Sequence, residues 1–319
     1  MKIAHCFQLL CVSAVILFFT PAANCGDIYT SEWDGYHIGI FKYDASGNRS
    51  TFVSQISSDF GTLECDKNGT LFAWDTHDNQ IKKIDLLGQS SIFASLPSQN
   101  ASVDDMSFDQ NSNLYTANYD FATSTSSILK YNSAGVGAVF VNATPGTRIY
   151  SIAFDSSGNL FAATASGEWG SMQFSITKYN SLGEGTLLES STTFSPSALA
   201  FAQDGTLFAG GLALSGGYTD HGEIMEFDSS GGMAIFSSDI NVNSPSKVLV
   251  YTSLAFDSTG TLYASDTNTR LYKFDSLGNR TTFIDSDSYN GEFTVIPEPS
   301  SILLLGMSVG VIGIWKFLF

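Results

Sequence analysis

The sequence is poor in cysteine, proline and basic residues, and each shortage argues against a class of protein. Its 319 residues include 4 Cys and 7 Pro, and 14 Lys and Arg stand against 31 Asp and Glu. So few cysteines exclude a structural disulfide framework, and so little proline and lysine argues against a disordered stalk. The net charge of −17 would repel phosphate backbones and anionic lipid, which argues against nucleic acid as a partner.

Aromatic residues, in contrast, are abundant: the chain has 25 Phe and 13 Tyr, which indicates a packed core.

The first 25 residues have the features of a signal peptide. Lys2 gives a positive start, Leu9 to Phe19 is apolar, and residues 21–25 form a cleavage region. We therefore expect residues 1–25 to be removed on export. The exact bond, and with it the state of Cys25, stays open.

Internal repeats determine the fold prediction. One half-motif reads apolar-x-Phe-Asp-x-x-Gly-x-Leu-aromatic-Ala, and it recurs with a period of about 43 to 55 residues. A second half-motif reads apolar-x-Lys-aromatic-Asp-x-x-Gly and occurs six times. Short apolar runs bounded by Asp-x-x-Gly are typical of strands joined by tight turns. Each unit therefore contains four short strands, which is the pattern of a β-propeller blade.

The count of units predicts an all-β, six-bladed β-propeller over residues 26–296. The first unit lacks its innermost strand, because Asp27 to Glu32 aligns with the second strand of the other units. Glu292 to Ile296 has strand character at the other end of the domain. We expect this C-terminal strand to insert beside Asp27–Glu32 and close the ring, which removes two open sheet edges. The alternative is an open solenoid of the same units.

Two units resemble NHL repeats: Leu262 to Asp275 and, more loosely, Leu71 to Asp85. The resemblance implies a six-bladed propeller of a class that binds proteins, RNA, sugars or small molecules, or acts as a lactonase or lyase. The fold by itself does not select among these functions.

The C-terminal residues 297–319 resemble a PEP-CTERM sorting signal. The motif Pro297-Glu298-Pro299 precedes an uncharged apolar run from Ile302 to Trp315, and Lys316 follows. That run is near the lower limit for a single C-terminal transmembrane helix. The resemblance implies processing by an exosortase-type enzyme, and a location in the membrane, on the cell surface or in the extracellular matrix of a Gram-negative-type bacterium. A terminal helix buried within the fold is the alternative.

Acidic and amide side chains follow the second strands of several blades, where we expect one mouth of the ring. In register these positions hold Glu32, Asp75, Asn118, Thr164, Gly211 and Asp266. Asp104, Asp105 and Glu292 precede or open innermost strands and would lie at the same mouth. Oxygen ligands converging on a cavity suit a hard cation. The sequence therefore predicts a divalent-metal site, such as a calcium site, at Glu32, Asp75, Asn118 and Asp266. Turn formation is the competing explanation for these residues.

Polar loops on the same face carry candidate ligand-binding residues, namely Trp169, Tyr218 and His77. Loop aromatics can stack on sugar rings, although a single loop Trp often serves as partly buried cover. The sequence offers no catalytic triad or phosphate-binding loop, so we assign no catalytic residue. We expect an exported binding or structural module for an extracellular polysaccharide or protein. A metal-dependent enzyme of the lactonase or lyase kind is the alternative.

Overall fold

The computed structural model describes residues 26–33, 38–56, 60–167, 171–214, 220–228, 232–239, 249–285 and 289–296. Within these residues the regular structure is all β, as six four-stranded antiparallel sheets. No helix in this part of the chain is long and apolar enough to cross a membrane. The predicted signal peptide, sorting motif and transmembrane helix lie outside the described residues.

The sheets are the blades of a propeller. Blade 1 consists of β24 (Tyr289–Val295), β1 (Ile28–Trp33), β2 (Ile38–Tyr43) and β3 (Arg49–Ile56). Blade 2 holds β4 (Phe60–Cys65), β5 (Leu71–Asp75), β6 (Gln80–Ile84) and β7 (Ser90–Ser95), and blade 3 holds β8 (Ala101–Phe108), β9 (Leu114–Asp120), β10 (Thr125–Tyr131) and β11 (Gly137–Asn142). Blade 4 holds β12 (Thr147–Phe154), β13 (Leu160–Ser166), β14 (Gln173–Tyr179) and β15 (Gly185–Ser191), and blade 5 holds β16 (Phe194–Phe201), β17 (Leu207–Ala213), β18 (His221–Phe227) and β19 (Met233–Ser238). Blade 6 holds β20 (Tyr251–Phe256), β21 (Leu262–Asp266), β22 (Arg270–Phe274) and β23 (Arg280–Asp285).

The ring is closed by the strand that the sequence predicted. β24 pairs antiparallel with β1, with Val295 opposite Ile28 and Phe293 opposite Thr30. Ile296 continues the contact, because its backbone N–H donates to the carbonyl of Asp27 at 3.0 Å. The two ends of the domain therefore share one sheet, and blade 1 is complete only when both are present. This rules out the open solenoid.

The turns at the ends of the blades follow one design. In the turn after β2, Asp44 Oδ1 accepts hydrogen bonds from the backbone N–H groups of Ser46 and Asn48, both at 2.9 Å. Gly47 in that turn has a φ of 83°, which glycine adopts without the steric cost that a Cβ imposes. Asp85 and Asp275 accept the same pair of bonds in blades 2 and 6, and Asn132 and Asn180 do so in blades 3 and 4. This explains why Asp or Asn followed by x-x-Gly repeats in the sequence.

Aromatic side chains fill the interfaces between blades. Phe72 of blade 2 contacts Phe93 of its own outer strand at 5.0 Å between ring centroids and Phe108 of blade 3 at 4.9 Å. Tyr115 repeats the pattern one blade further on, with Phe140 at 5.1 Å and Phe154 at 4.8 Å. These edge-to-face contacts add to the burial of apolar area that holds neighbouring blades together. The abundance of Phe thus has a structural cause.

Candidate functional site

Glu32, the first of the predicted metal ligands, is fully buried inside blade 1. Its carboxylate accepts hydrogen bonds from Thr30 Oγ1 at 2.6 Å and Tyr43 OH at 2.7 Å. Arg49 Nη2 forms an ion pair with Glu32 Oε2 at 2.9 Å. These contacts neutralise and satisfy the carboxylate within its own blade, as a buried charge requires.

Asp75 and Asp266 act mainly as turn residues, which is the competing explanation that the sequence allowed. Asp75 Oδ1 accepts from the N–H groups of His77 and Asp78, at 3.1 and 3.0 Å, and Lys82 Nζ lies 3.5 Å from Oδ2. Asp266 Oδ1 accepts from the N–H of Asn268 at 2.8 Å, and its Oδ2 accepts from Tyr272 OH at 2.9 Å.

Asn118 is buried as well, and its Oδ1 accepts from the hydroxyl of Thr116 in the same strand. Each of the four predicted ligands is therefore held by groups of its own blade. Throughout the described ranges, no group of three or more His, Cys, Asp or Glu is placed to hold a metal ion. The described side chains thus do not form the calcium site expected from the sequence.

A different set of acids lines the axis of the ring. The innermost strands surround a cavity of about 310 Å³, and Glu64, Asp105 and Glu292 are in its wall. Asp105 and Glu292 were expected near this position, whereas Glu64 was not identified from the sequence. Glu64 occupies the unspecified position x in the first half-motif, where the equivalent residues of blades 4, 5 and 6 are all alanine. That departure from the repeat is the signal that could have revealed it.

Asp105 connects three blades. Its Oδ2 accepts hydrogen bonds from Ser151 Oγ at 2.6 Å and from the N–H of Ile152 at 2.8 Å. Ser151 Oγ in turn accepts from the N–H of Leu199 in blade 5 at 3.0 Å. A single carboxyl group therefore links the inner strands of blades 3 and 4 and, through Ser151, blade 5. The same carboxyl group is part of the cavity wall.

The acids of the cavity hold their protons more tightly than carboxyl groups in water. Burial, followed by the charge of Asp105, raises the pKa of Glu292 to about 8. Burial also raises the pKa of Asp105 to about 6, although hydrogen bonds from Ser151, Ile152 and Met106 oppose the shift. The pKa of Glu64 is raised well above its usual range by burial and by the charge of Asp105. At neutral pH the cavity therefore contains both carboxylic acids and carboxylates.

Asp104 and Tyr150 line the cavity and continue outward into a salt bridge and further aromatic rings. We call these two residues, with Arg148, Tyr119 and Phe121, the rim. Arg148 donates to Asp104 through Nε and Nη2, at 2.8 and 3.0 Å. Its guanidinium group lies 4.7 Å from the ring centroid of Tyr119 and 5.2 Å from that of Tyr150, which also lines the cavity. Phe121, 61% exposed, packs edge-to-face on Tyr119 at 5.0 Å. The rim thus presents aromatic faces beside charged hydrogen-bonding groups.

Of the three predicted ligand-binding residues, only His77 falls within the described part of the chain. It is exposed in the turn between β5 and β6 and does not line the cavity. Trp169 and Tyr218 lie outside the described residues. The rim residues Arg148, Tyr119 and Phe121 were not identified from the sequence. Each is an ordinary residue of its own strand or loop, and only the tertiary structure places the three beside one another.

Comparison with solved structures supports the fold. Virginiamycin B lyase from Staphylococcus aureus matches with a TM-score of 0.51 and 16% identity, over 72% of this chain and 71% of that one. A gluconolactonase from Xanthomonas campestris matches with a TM-score of 0.52 and 12% identity, over 75% and 76% of the two chains. The calcium-binding protein regucalcin from Agrobacterium tumefaciens gives a TM-score of 0.51 and 16% identity, over 70% and 72%.

At these identities the likeness concerns the propeller fold alone. No protein-family model matches the chain, and no curated protein matches it. The comparisons therefore place the protein among six-bladed propellers, a fold that serves both enzymes and binding proteins.

Proposed function

We propose that the protein is an exported bacterial surface protein whose propeller is a binding module for an extracellular polysaccharide. The observation that carries the proposal is the acid-lined axial cavity with its aromatic rim. Sugar hydroxyls can donate to the carboxylates of the cavity and accept from the guanidinium of Arg148. The apolar faces of sugar rings can pack on exposed aromatic side chains such as Phe121. Binding of another surface protein instead of the polysaccharide would change the ligand in this proposal.

Export and anchoring are proposed from the two ends of the sequence. Residues 1–25 would direct export, and residues 297–319 would hold the protein in the membrane until an exosortase-type enzyme acts near Pro297, Glu298 and Pro299. Mass spectrometry of the protein purified from its native host tests this directly. We expect a mature N-terminus near residue 25 and a modified or shortened C-terminus. An unprocessed chain from Met1 to Phe319 would contradict the proposal.

The binding proposal is tested by calorimetric titration with oligosaccharides prepared from the exopolysaccharide of the host. Phe121→Ala removes an exposed ring from the rim and should weaken binding about tenfold, the equivalent of ~1.4 kcal/mol. Val139→Ala is the matched control, because Val139 is similarly exposed but lies on the outer strand β11. Equal affinity of the two variants would argue against the rim as the binding site.

An enzyme of the lactonase or lyase kind is a second candidate, and the pKa of Glu292 favours it. A carboxyl group whose pKa is about 8 stays protonated at neutral pH and can donate a proton to a leaving group. The names of two fold neighbours, a lyase and a gluconolactonase, agree with this candidate.

The enzyme candidate predicts turnover of sugar lactones or of uronic-acid polysaccharides by the purified protein. Glu292→Gln should abolish that turnover while leaving oligosaccharide binding within a few-fold of the unmodified protein, because Gln retains the shape of the acid. Absence of turnover in the unmodified protein would leave the binding module as the better proposal.

A further inference from the structure

The point at which the chain leaves the propeller defines one face of the disc. The end of β24 lies beside the start of β1 and the end of β2, since Val295 and Tyr43 are both opposite Ile28. The turns that join third strands to fourth strands, such as 44–48 in blade 1, are therefore on the face where Ile296 ends the fold. We call this face the anchor face. The rim with Arg148 and Phe121 lies at the opposite ends of the strands.

Large apolar side chains protrude from the anchor face. Leu87, Leu182 and Leu277 occupy the same position in the third-to-fourth-strand turns of blades 2, 4 and 6, and they are 73%, 78% and 81% exposed. Leu86 and Val136 are exposed in these turns as well. On the opposite face, Phe121 is the one large apolar residue among those described whose exposure approaches that of these leucines.

The turn itself does not require leucine. Ser46 and Ala134 occupy the equivalent position in blades 1 and 3, and those turns have the same hydrogen bonds between their ends. Leucines exposed at alternate blades are spaced around the disc, so they can rest together on one flat surface. One exposed leucine would need no explanation, but leucines at the same position of three turns on one face can together contact an apolar surface.

The exit of the chain lies beside this surface. A Cβ built on Gly69 would be 3.2 Å from Ile296 Cγ2 and 3.8 Å from Leu86 Cδ2, so the side chain of Leu86 is next to the last described residue. In the sequence, residues 297–301 separate Ile296 from the apolar run that starts at Ile302. Five extended residues span at most about 18 Å. An inserted apolar run therefore keeps the anchor face close to the bilayer surface.

We propose that the anchor face lies against the lipid bilayer, with Leu86, Leu87, Leu182 and Leu277 in contact with the interfacial region. This inference rests on the proposed anchoring through residues 297–319. The net charge of −17 favours a zwitterionic lipid surface over an anionic one. In this orientation the rim faces away from the membrane, where an extracellular polysaccharide can reach it.

Hydroxyl-radical footprinting tests the orientation without any substitution. The full chain is reconstituted in phosphatidylcholine vesicles, and side-chain oxidation is measured by mass spectrometry. A chain that ends at Ile296 and stays in solution provides the reference. We expect the oxidation of Leu87, Leu182 and Leu277 to fall several-fold on the vesicles, while Phe121 is oxidised equally in both samples.

The possible failures are distinguishable. If the full chain does not float with the vesicles, the proposed anchoring and this orientation are both overturned. If it floats but the three leucines are oxidised as fast as in the reference, only the orientation is overturned. If the leucines are oxidised slowly in the soluble reference chain too, judged against the exposed Phe121 in the same sample, a second copy covers them, and the proposal is also overturned.

Discussion

Ser112 holds a left-handed backbone position that glycine fills in the equivalent turns. Its φ is 61°, whereas Gly158 has a φ of 81° at the same position in blade 4. A side chain in this region strains the backbone by about 1 kcal/mol. Ser112→Gly should therefore raise the free energy of unfolding by up to ~1 kcal/mol, measured by urea titration.

The reciprocal change provides the control. A Cβ on Gly158 meets no atom within 4 Å, so Gly158→Ser tests the backbone conformation without a steric clash. It should lower the free energy of unfolding by a similar amount. If both substitutions shift stability in the same direction, the left-handed strain is not what distinguishes these turns.

The acids of the cavity make stability depend on pH. Glu292 has a pKa of about 8 in the folded chain against an ordinary value of 4.5. The folded state therefore keeps this proton over a range in which the unfolded state loses it. Its contribution to stability is fully present below pH 4.5 and is lost as the pH rises through 8. Glu292→Gln should remove this loss, because Gln stays neutral.

Thermal unfolding at several pH values measures the effect. We expect Glu292→Gln to match the unmodified protein near pH 4 and to melt at a higher temperature near pH 9, by at least ~2 °C. Glu184→Gln, which removes an exposed carboxylate from a turn, controls for the change in net charge. A melting difference that is constant across this pH range would contradict the proposed protonation of Glu292.

At the scale of the element, the turn of one blade packs tightly on the outer strand of the blade before it. A Cβ on Gly135 would overlap the carbonyl oxygen of Phe93, so one of the two must move. Gly135→Ala must therefore displace the turn from β7 and disturb the contact between blades 2 and 3. We expect a loss of about 2–4 kcal/mol in the free energy of unfolding, because steric overlap adds to backbone strain.

Gly260→Ala is the matched control for that substitution. Gly260 has a φ of 83°, close to the 76° of Gly135, but a Cβ there meets no atom within 4 Å. Only the backbone cost of about 1 kcal/mol should appear. Equal losses for the two variants would mean that the contact between turn and strand does not contribute to stability.

At the scale of the whole molecule, stability depends on ring closure by β24. We compare a chain of residues 26–296 with one of residues 26–285, which lacks this strand. Cys65 is the one cysteine in either chain, and in the closed ring its Sγ donates to the carbonyl of Val295 at 3.2 Å. Burial also raises the pKa of this thiol, which makes it unreactive.

Removal of β24 should expose Cys65 and leave the edge of β1 unpaired. We expect the shorter chain to react rapidly with a thiol reagent such as Ellman's reagent and to unfold at a markedly lower temperature or aggregate. The longer chain should react only after denaturant is added. Slow reaction of Cys65 in the shorter chain would show that closure by β24 is not required.

Local sequence patterns were enough to predict the strands, the turns, the six blades and the strand that closes the ring. The reason is physical. Asp-x-x-Gly turns and short apolar strands are local features, and each repeat of them independently predicts the same four-stranded blade. The sequence likewise carries the features from which export and anchoring are proposed. The signal-peptide and sorting-signal features do not depend on the contacts between blades.

The composition of the axial site was decided by tertiary structure. Glu32, Asp75, Asn118 and Asp266 lie within the C-terminal halves of second strands, not after these strands as the sequence suggested. Second strands are one strand away from the axis, and each of the four residues is held within its own blade. The inner strands carry irregularities, such as the register shift between Val103 and Asp105, that redirect side chains relative to a regular strand. Which carboxyl groups meet at the cavity therefore depends on how six strands, far apart in sequence, are arranged around one axis.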